Sequence, residues 1–402
     1  MRGDNRIFLP PRGLSDAYSQ YSSMQTSYQA FLTVCFLVMI FIVPLTQAAI
    51  EIYQGQSPVV LDIATRTPTA ENLRAFERQL EDSSWFSKKL RPWMQYLWFE
   101  TLSNPGDKAI LGRDGWLFYK PDVRYLVEPY PPDNSRAQPD QDPVSAIVAF
   151  QGQLSRRGIR LMVIPMPGKP SVYPDKLTRR AALKDESFPS HTLGLIARLR
   201  EAGIEVVDLF ATFQRLRSSQ LSSSEELYYL PQDTHWSGRG VSIAADVVAE
   251  RIRSLGWISA GSAEYDLKPV FVKRRGDIIR MARVPAIEQH LPFEEVSCNQ
   301  VVDRATGQLY KDDPHSSVLV LGDSFFRIFQ NDEPFSAGFV AHLANKLRQP
   351  LATIINDGGA STLVRQELSR RPSLLQGKKL VIWEFVERDI RFGTEGWKHV
   401  PL

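Results

Sequence analysis

Apolar residues fall along the 402-residue chain in three regimes. The first is continuous: "AFLTVCFLVMIFIVPLTQAAI" (30–50) carries no charge over its whole length, and about 20 such residues span a bilayer core as a helix. The second is periodic. Across 66–104, Leu73, Phe76 and Leu80, then Trp85, Phe86, Leu90, Trp93, Tyr96 and Leu97, recur at helical spacing. In the third, from 109 onward, short apolar runs alternate with helix-period segments. "AILGRDGWLFYK" (109–120) reads as a hairpin turning at Arg-Asp-Gly. The runs at 159–166, 204–210, 316–323, 351–356 and 378–386 read as buried strands, and 143–157, 190–202 and 238–255 as helices between them. That order predicts an α/β domain with a mostly parallel sheet flanked by helices on both faces. Its ligand site belongs at the carboxyl ends of the strands.

The charge pattern orients the apolar run. Arg2, Arg6 and Arg12 outnumber Asp4 and Asp16 before it, while Glu51 and Asp62 follow. This bias predicts a cytoplasmic tail (1–29), a transmembrane anchor (30–50), and everything later outside the cytoplasm. A cleavable signal peptide ending at "TQA" is the rival, disfavoured by the long polar segment ahead of the apolar core. The expected division continues as a helical stalk (51–108) and a catalytic domain (109–402). A net charge of +3 shows no nucleic-acid footprint. Cys35 lies in the span and Cys298 in the domain, so no disulfide framework is expected, and the sulfur ligands are too few for structural zinc. The proline-rich stretch 128–143 reads as a surface loop.

Two short motifs carry candidate chemistry. "LPQDTHWSGRG" (230–240) sets Asp233 and His235 two residues apart, on one face if the segment is extended. A carboxylate so placed fixes the tautomer of a general base; the alternative is that Asp233 or Thr234 caps the helix that follows. "SVLVLGDSFFRIF" (317–329) is a strand, a glycine turn, and Ser324 at a helix start, beside free backbone N–H groups. A lone Gly-Asp-Ser is equally well a helix cap. Paired with an Asp-x-His elsewhere it becomes a nucleophile with a base.

In order, "GRDGWLFY" (112–119), "VIPMPGKPSVYPDKL" (163–177), "DTHWS" (233–237) and "LGDSFFRIF" (321–329) resemble the alginate O-acetyltransferase AlgJ/AlgX-like family, whose catalytic domain is similar to SGNH hydrolases. The resemblance covers roughly 109–390. It implies Ser324 as nucleophile, His235 as its base and Asp233 as the group orienting the imidazole. The Asp-His pair precedes the serine, the reverse of ordinary SGNH hydrolases, and this fits the same branch. AlgX-type members carry a carbohydrate-binding module after the catalytic domain, so the anchored chain is closer to the AlgJ type.

Further candidates sit at the same sheet edge. In "NDGGAS" (356–361), the N–H groups of Gly358 and Gly359 are candidates for an oxyanion hole. Lys169, Tyr173 and Trp236 are candidates for contact with the polymer. Arg388 is another, although a buried Glu384–Arg388 pair is the plainer reading. His191, His290, His315, His342 and His399 lack partner spacing. The resemblance implies acetyl transfer through an acetyl-serine onto hydroxyls of an exported polysaccharide. It needs no soluble cofactor or metal, and its implied acetyl source is a membrane-bound O-acyltransferase (MBOAT) partner. The alternatives are a tethered acetylesterase using the same residues and a non-catalytic polysaccharide-binding scaffold.

Overall fold

The computed structural model describes residues 12–402 apart from 66, 68, 103–105, 130–140, 181–190, 221–226, 283–287 and 289–290. Most of the proline-rich stretch and His290 therefore lie outside the described residues. The chain divides into two compact units, Met1–Met94 and Gln95–Leu402.

The first unit opens with helix α1 (Arg12–Tyr53). Within it Tyr28–Tyr53 has a mean hydropathy of 2.3, enough by length and composition to cross a membrane. Most of its described apolar side chains are exposed; Phe31 is 62% exposed and Leu45 66%. The segment expected to be helical across 66–104 forms two helices, α2 (Ala70–Ser83) and α3 (Trp85–Leu102). The break falls at Ser84, whose ψ of 111° cannot continue a helix. Thr69 starts α2 by accepting the Asn72 N–H at 3.2 Å.

In the second unit, β1 (Ala109–Leu111) and β2 (Leu117–Tyr119) form the predicted antiparallel hairpin. Asp114 and Gly115 turn it with positive φ. The main sheet comprises β3 (Arg160–Met166), β4 (Glu205–Val206), β7 (Val318–Gly322), β8 (Ala352–Ile355) and β9 (Leu380–Val386). Its order is β4-β3-β9-β7-β8, with every pairing parallel. Neighbouring residues on β3, β7 and β9 feed opposite faces. Met162, Ile164, Val320 and Ile382 pack on one side, beneath α6 (Leu209–Gln220), α7 (Gly238–Leu255) and α8 (Phe339–Leu347). Leu161, Val163, Leu321 and Trp383 pack on the other, beneath α4 (Pro143–Ser155), α5 (His191–Glu201) and α9 (Leu363–Arg370). Strands buried on both faces explain why these runs read as continuous apolar sequence.

Two expectations need correction. The run 204–210 supplies only a two-residue strand, because the Asp208 carboxylate accepts the Ala211 N–H and starts α6 inside it. The sequence also gave no warning of β5 (Tyr265–Arg274) and β6 (Glu294–Asp303), a ten-residue antiparallel ribbon. β5 is largely exposed and contains Pro269, so it lacks the apolar run that marks a buried strand.

Ile382, wholly buried on the central strand, should cost ~2–5 kcal/mol when replaced by alanine. Phe271→Ala, at a position 79% exposed on β5, should change stability by less than ~0.5 kcal/mol. Denaturant midpoints of the two variants check the contrast.

Candidate active site

Ser324 comes one residue after β7, past Asp323, and opens the four-residue helix Ser324–Arg327. The turn leading to it is tightly packed: a Cβ at Gly322 would lie 2.4 Å from the Phe326 ring and 2.8 Å from Glu384 Oε2. Asp323 caps the helix by accepting the Phe325 N–H at 2.9 Å, and its own N–H donates to Glu384 Oε2 on β9 at 3.0 Å. Burial, then the charge of Asp323, pushes the Glu384 carboxyl well above the usual carboxylate range. Ser324 is partly exposed, and its N–H has no hydrogen-bond partner among the described residues.

Residues 230–235 form a bend rather than an extended strand. Asp233 and His235 meet by a turn: Asp233 Oδ1 accepts both the His235 backbone N–H at 3.1 Å and the His235 Nδ1 proton at 2.6 Å. His235 Nε2 then lies 2.8 Å from Ser324 Oγ. The helix after the loop is capped by Ser237, which accepts the Gly240 N–H at 3.2 Å. Asp233 and Thr234 are therefore not its caps.

Asp233 is fully buried. Its second oxygen accepts from Arg274 Nη2 at 2.9 Å and from the Asp277 N–H at 3.1 Å. Burial opposes its charge, but the His235 hydrogen bond and the charges of His235 and Arg274 outweigh it and hold the carboxyl far below its ordinary range. Burial likewise opposes charge on His235, yet the Asp233 hydrogen bond and the surrounding carboxylates keep the imidazole more basic than usual. A second carboxylate, Asp277, stands 3.5 Å from His235 Nδ1. It accepts the Thr234 N–H at 2.7 Å and the Thr234 hydroxyl at 2.6 Å. Burial, then the Asp233 charge, raises it to about 6.

Donor atoms of Asp233, His235 and Asp277 lie within 4.8 Å of one another, close enough to share a cation. Here Arg274 and Thr234 already donate to the two carboxylates, and both imidazole nitrogens are engaged. The arrangement can draw a proton from Ser324 Oγ onto His235 and hold the resulting imidazolium.

Arg274 and Asp277 were missed by sequence reasoning. They arrive from the end of β5 and the short helix Asp277–Ala282, where "RRGD" offers only a turn signal. Gly276 between them is required by close approach, since a Cβ would sit 1.9 Å from Gln232 O.

The other expected site residues are placed differently. Lys169 is fully buried, and its Nζ donates to the carbonyls of Leu230, Pro231 and Asp233 at 3.0, 2.9 and 2.6 Å. It clamps the loop and does not face a polymer; burial lowers it to about 8. Tyr173 is also buried, its hydroxyl accepting the Tyr228 N–H at 2.8 Å. Trp236 is core, stacked on Phe339 and edge-on to Phe325. Arg388 pairs with Asp122 at 2.8 Å rather than with Glu384. The Gly359 N–H is spent on Asn356 O at 3.0 Å. Gly358, with φ +66°, has an N–H without a partner among the described residues. Its loop is tied toward Ser324 by Arg327, which holds Asp357 at 2.8 Å. Cys298 is buried and its thiol pushed up to about 12, so it is inert.

Residues 109–387 match the family described as SGNH hydrolase-like domain, acetyltransferase AlgX. The chain belongs to that family. It is similar to the probable alginate O-acetylase AlgJ of Pseudomonas aeruginosa, 26% identical over an alignment of 303 residues that covers 71% of each chain. It is also similar to the alginate biosynthesis protein AlgX of the same organism, 25% identical over 59% of this chain and 48% of that one. The solved O-acetyltransferase domain of Pseudomonas putida AlgJ superposes with a TM-score of 0.54 at 19% identity, covering 71% of this chain and 93% of that one. The fold is thus the SGNH-like α/β fold that the resemblance implied.

Asp277 generates a test with a defined sign. His235 is faced by Asp233, Asp277 and Asp323, whose charges all favour its protonated form. Asp277→Asn removes one of them, so the acid-side midpoint of kcat/KM should move to lower pH. An unchanged profile would mean that Asp277 does not act on the imidazole.

Proposed function

We propose that the chain is an O-acetyltransferase of an exported, alginate-like polysaccharide, working through an acetyl-enzyme on Ser324. The observation that carries the reading is the chain of contacts from Ser324 Oγ through His235 to Asp233 at 2.8 and 2.6 Å, in a family described as acetyltransferase. His235 Nε2 accepts the Ser324 proton as Oγ attacks the acetyl carbonyl. The tetrahedral intermediate collapses as the donor's leaving group departs with that proton. A sugar hydroxyl then gives its proton to His235 and attacks the acetyl carbon, and Ser324 recovers the proton as it leaves. The unspent N–H groups of Ser324 and Gly358 are the proposed oxyanion donors.

The apolar helix supports an inner-membrane anchor with the second unit on the periplasmic side, as the arginine bias favours. Acetyl-CoA is cytoplasmic, so a domain placed outside requires acetyl groups carried across. An MBOAT-type membrane protein is the proposed source.

Ser324→Ala and His235→Ala should each abolish transfer, and the double variant should be no worse, because the residues act as a unit. Asp233→Asn should lower kcat by roughly 10⁴. Rates measured with a soluble acetyl-ester donor, alongside circular dichroism, check both; wild-type turnover in Ser324→Ala would remove the nucleophile assignment.

Transfer and hydrolysis part at the second step, where sugar competes with water. Mass spectrometry of the enzyme with donor, with and without an oligosaccharide of the native polymer, should show acetyl on the sugar and slow acetate release in water alone. Rapid acetate release from acetylated polymer would make the protein an esterase.

A further inference from the structure

Helix α3 begins where α1 leaves its apolar stretch. Gln47 Oε1 accepts the Trp85 N–H at 2.7 Å, and Gln47 Nε2 donates to Ser83 O at 3.1 Å. The same amide donates to Glu51 Oε1 at 2.7 Å, while Glu51 Oε2 accepts the Val59 N–H at 2.9 Å. Both side chains are buried, Gln47 8% and Glu51 3% exposed, so the junction is a built joint. At 1.5 Å per residue, Gln47 lies ~26 Å along the helix from Ala30. That is near the far edge of a ~30 Å hydrocarbon core. On the reading that α1 crosses the membrane, this joint fixes the start of α3 at the outer interface.

The first turns of α3 match that position. Phe86, Leu90, Trp93 and Met94 recur at i, i+4, i+7 and i+8, which is one face of a helix. They are uncovered: Phe86 is 36%, Leu90 44%, Met94 39% and Trp93 72% exposed. Trp85 beside them is 43% exposed, and at the end of α1 Ile52 is 64% and Tyr53 92% exposed. Tryptophan and tyrosine are enriched at membrane interfaces because their rings carry both an apolar body and a polar edge. Lys89 flanks the stripe and Lys88 points away from it, both exposed, a placement that suits anionic headgroups on the flank and water behind.

We infer that the apolar face of α3 from Phe86 to Met94 lies in the outer headgroup layer, so that the chain meets the bilayer twice, through α1 and through this interfacial helix. The lipid surface is favoured over a protein partner because the Gln47 joint already sets the start of this helix at bilayer depth.

The test uses the full chain in vesicles of phosphatidylethanolamine and phosphatidylglycerol, with one environment-sensitive fluorophore at a time. Cys298 is 1% exposed and does not compete for label. Labelled Cys35 reports on the span. Cys35→Ser combined with Trp93→Cys reports on the apolar face, and Cys35→Ser combined with Lys88→Cys on the opposite one. Position 93 should shift to the blue, be quenched by a nitroxide carried near the lipid headgroup, and resist aqueous iodide; position 88 should be quenched by iodide. Iodide quenching at 93, with Cys35 quenched by a nitroxide deep in the acyl chains, would overturn the inference and leave the anchor standing. Position 93 shielded from both iodide and lipid nitroxides would mean that protein, not lipid, covers the face. A Cys35 untouched by the deep nitroxide would reject the anchor and this inference with it.

Discussion

One buried charge organises the site. Asp233 has no contact with water, and an unpaired carboxylate in such surroundings would take up a proton or unfold its loop. Its charge persists because donors converge on it from three directions: the imidazole and N–H of His235 within its own bend, the Arg274 guanidinium at the end of β5, and the Asp277 N–H. The basicity of His235 follows from that charge, and in the proposed mechanism the use of Ser324 follows from the basicity. The β5–β6 ribbon, peripheral to the sheet, is thus part of what holds that charge in place.

The loop carrying Asp233 and His235 is held by what lies beneath it. Lys169 places all its protons on three carbonyls of residues 230–233, and a bare Gly276 lets the backbone approach from the other side. The serine turn has its own support in Glu384, which takes the Asp323 N–H. Glu387, near the end of β9, accepts from the Gly168 N–H at 2.8 Å and the Thr192 hydroxyl at 2.8 Å. Burial raises that carboxyl to about 7.

The sequence was most legible where physics is local or periodic. Strands buried on both faces announce themselves as apolar runs, so β3, β7, β8 and β9 were readable, as were the helices between them. The Asp-x-His and Gly-Asp-Ser segments stood out because their spacing carries chemistry. Lys169, Tyr173 and Trp236 were misread as substrate contacts because residue type and strand edge do not reveal burial; each turned inward to meet a backbone group or another ring. Arg274 and Asp277 stayed hidden because their meaning comes from a partner some 40 residues away across a ribbon without a strong pattern. Gly359 looked like a free donor until the Asn356 carbonyl was seen to take its proton.

The place of β9 in the sheet has a consequence for how the molecule comes to exist. It pairs with β3 on one side and β7 on the other, and those two strands do not pair with each other. Yet β9 follows both in the sequence, and chains emerge from the ribosome N-terminus first. Two half-sheets must therefore wait, each with one edge open, until the middle strand arrives to join them. Such long-range closure is slow and leaves strand edges exposed to aggregation meanwhile. In the proposed mechanism it also keeps the serine idle during biogenesis, because the turn that presents it leans on Glu384, which enters only with the joining strand.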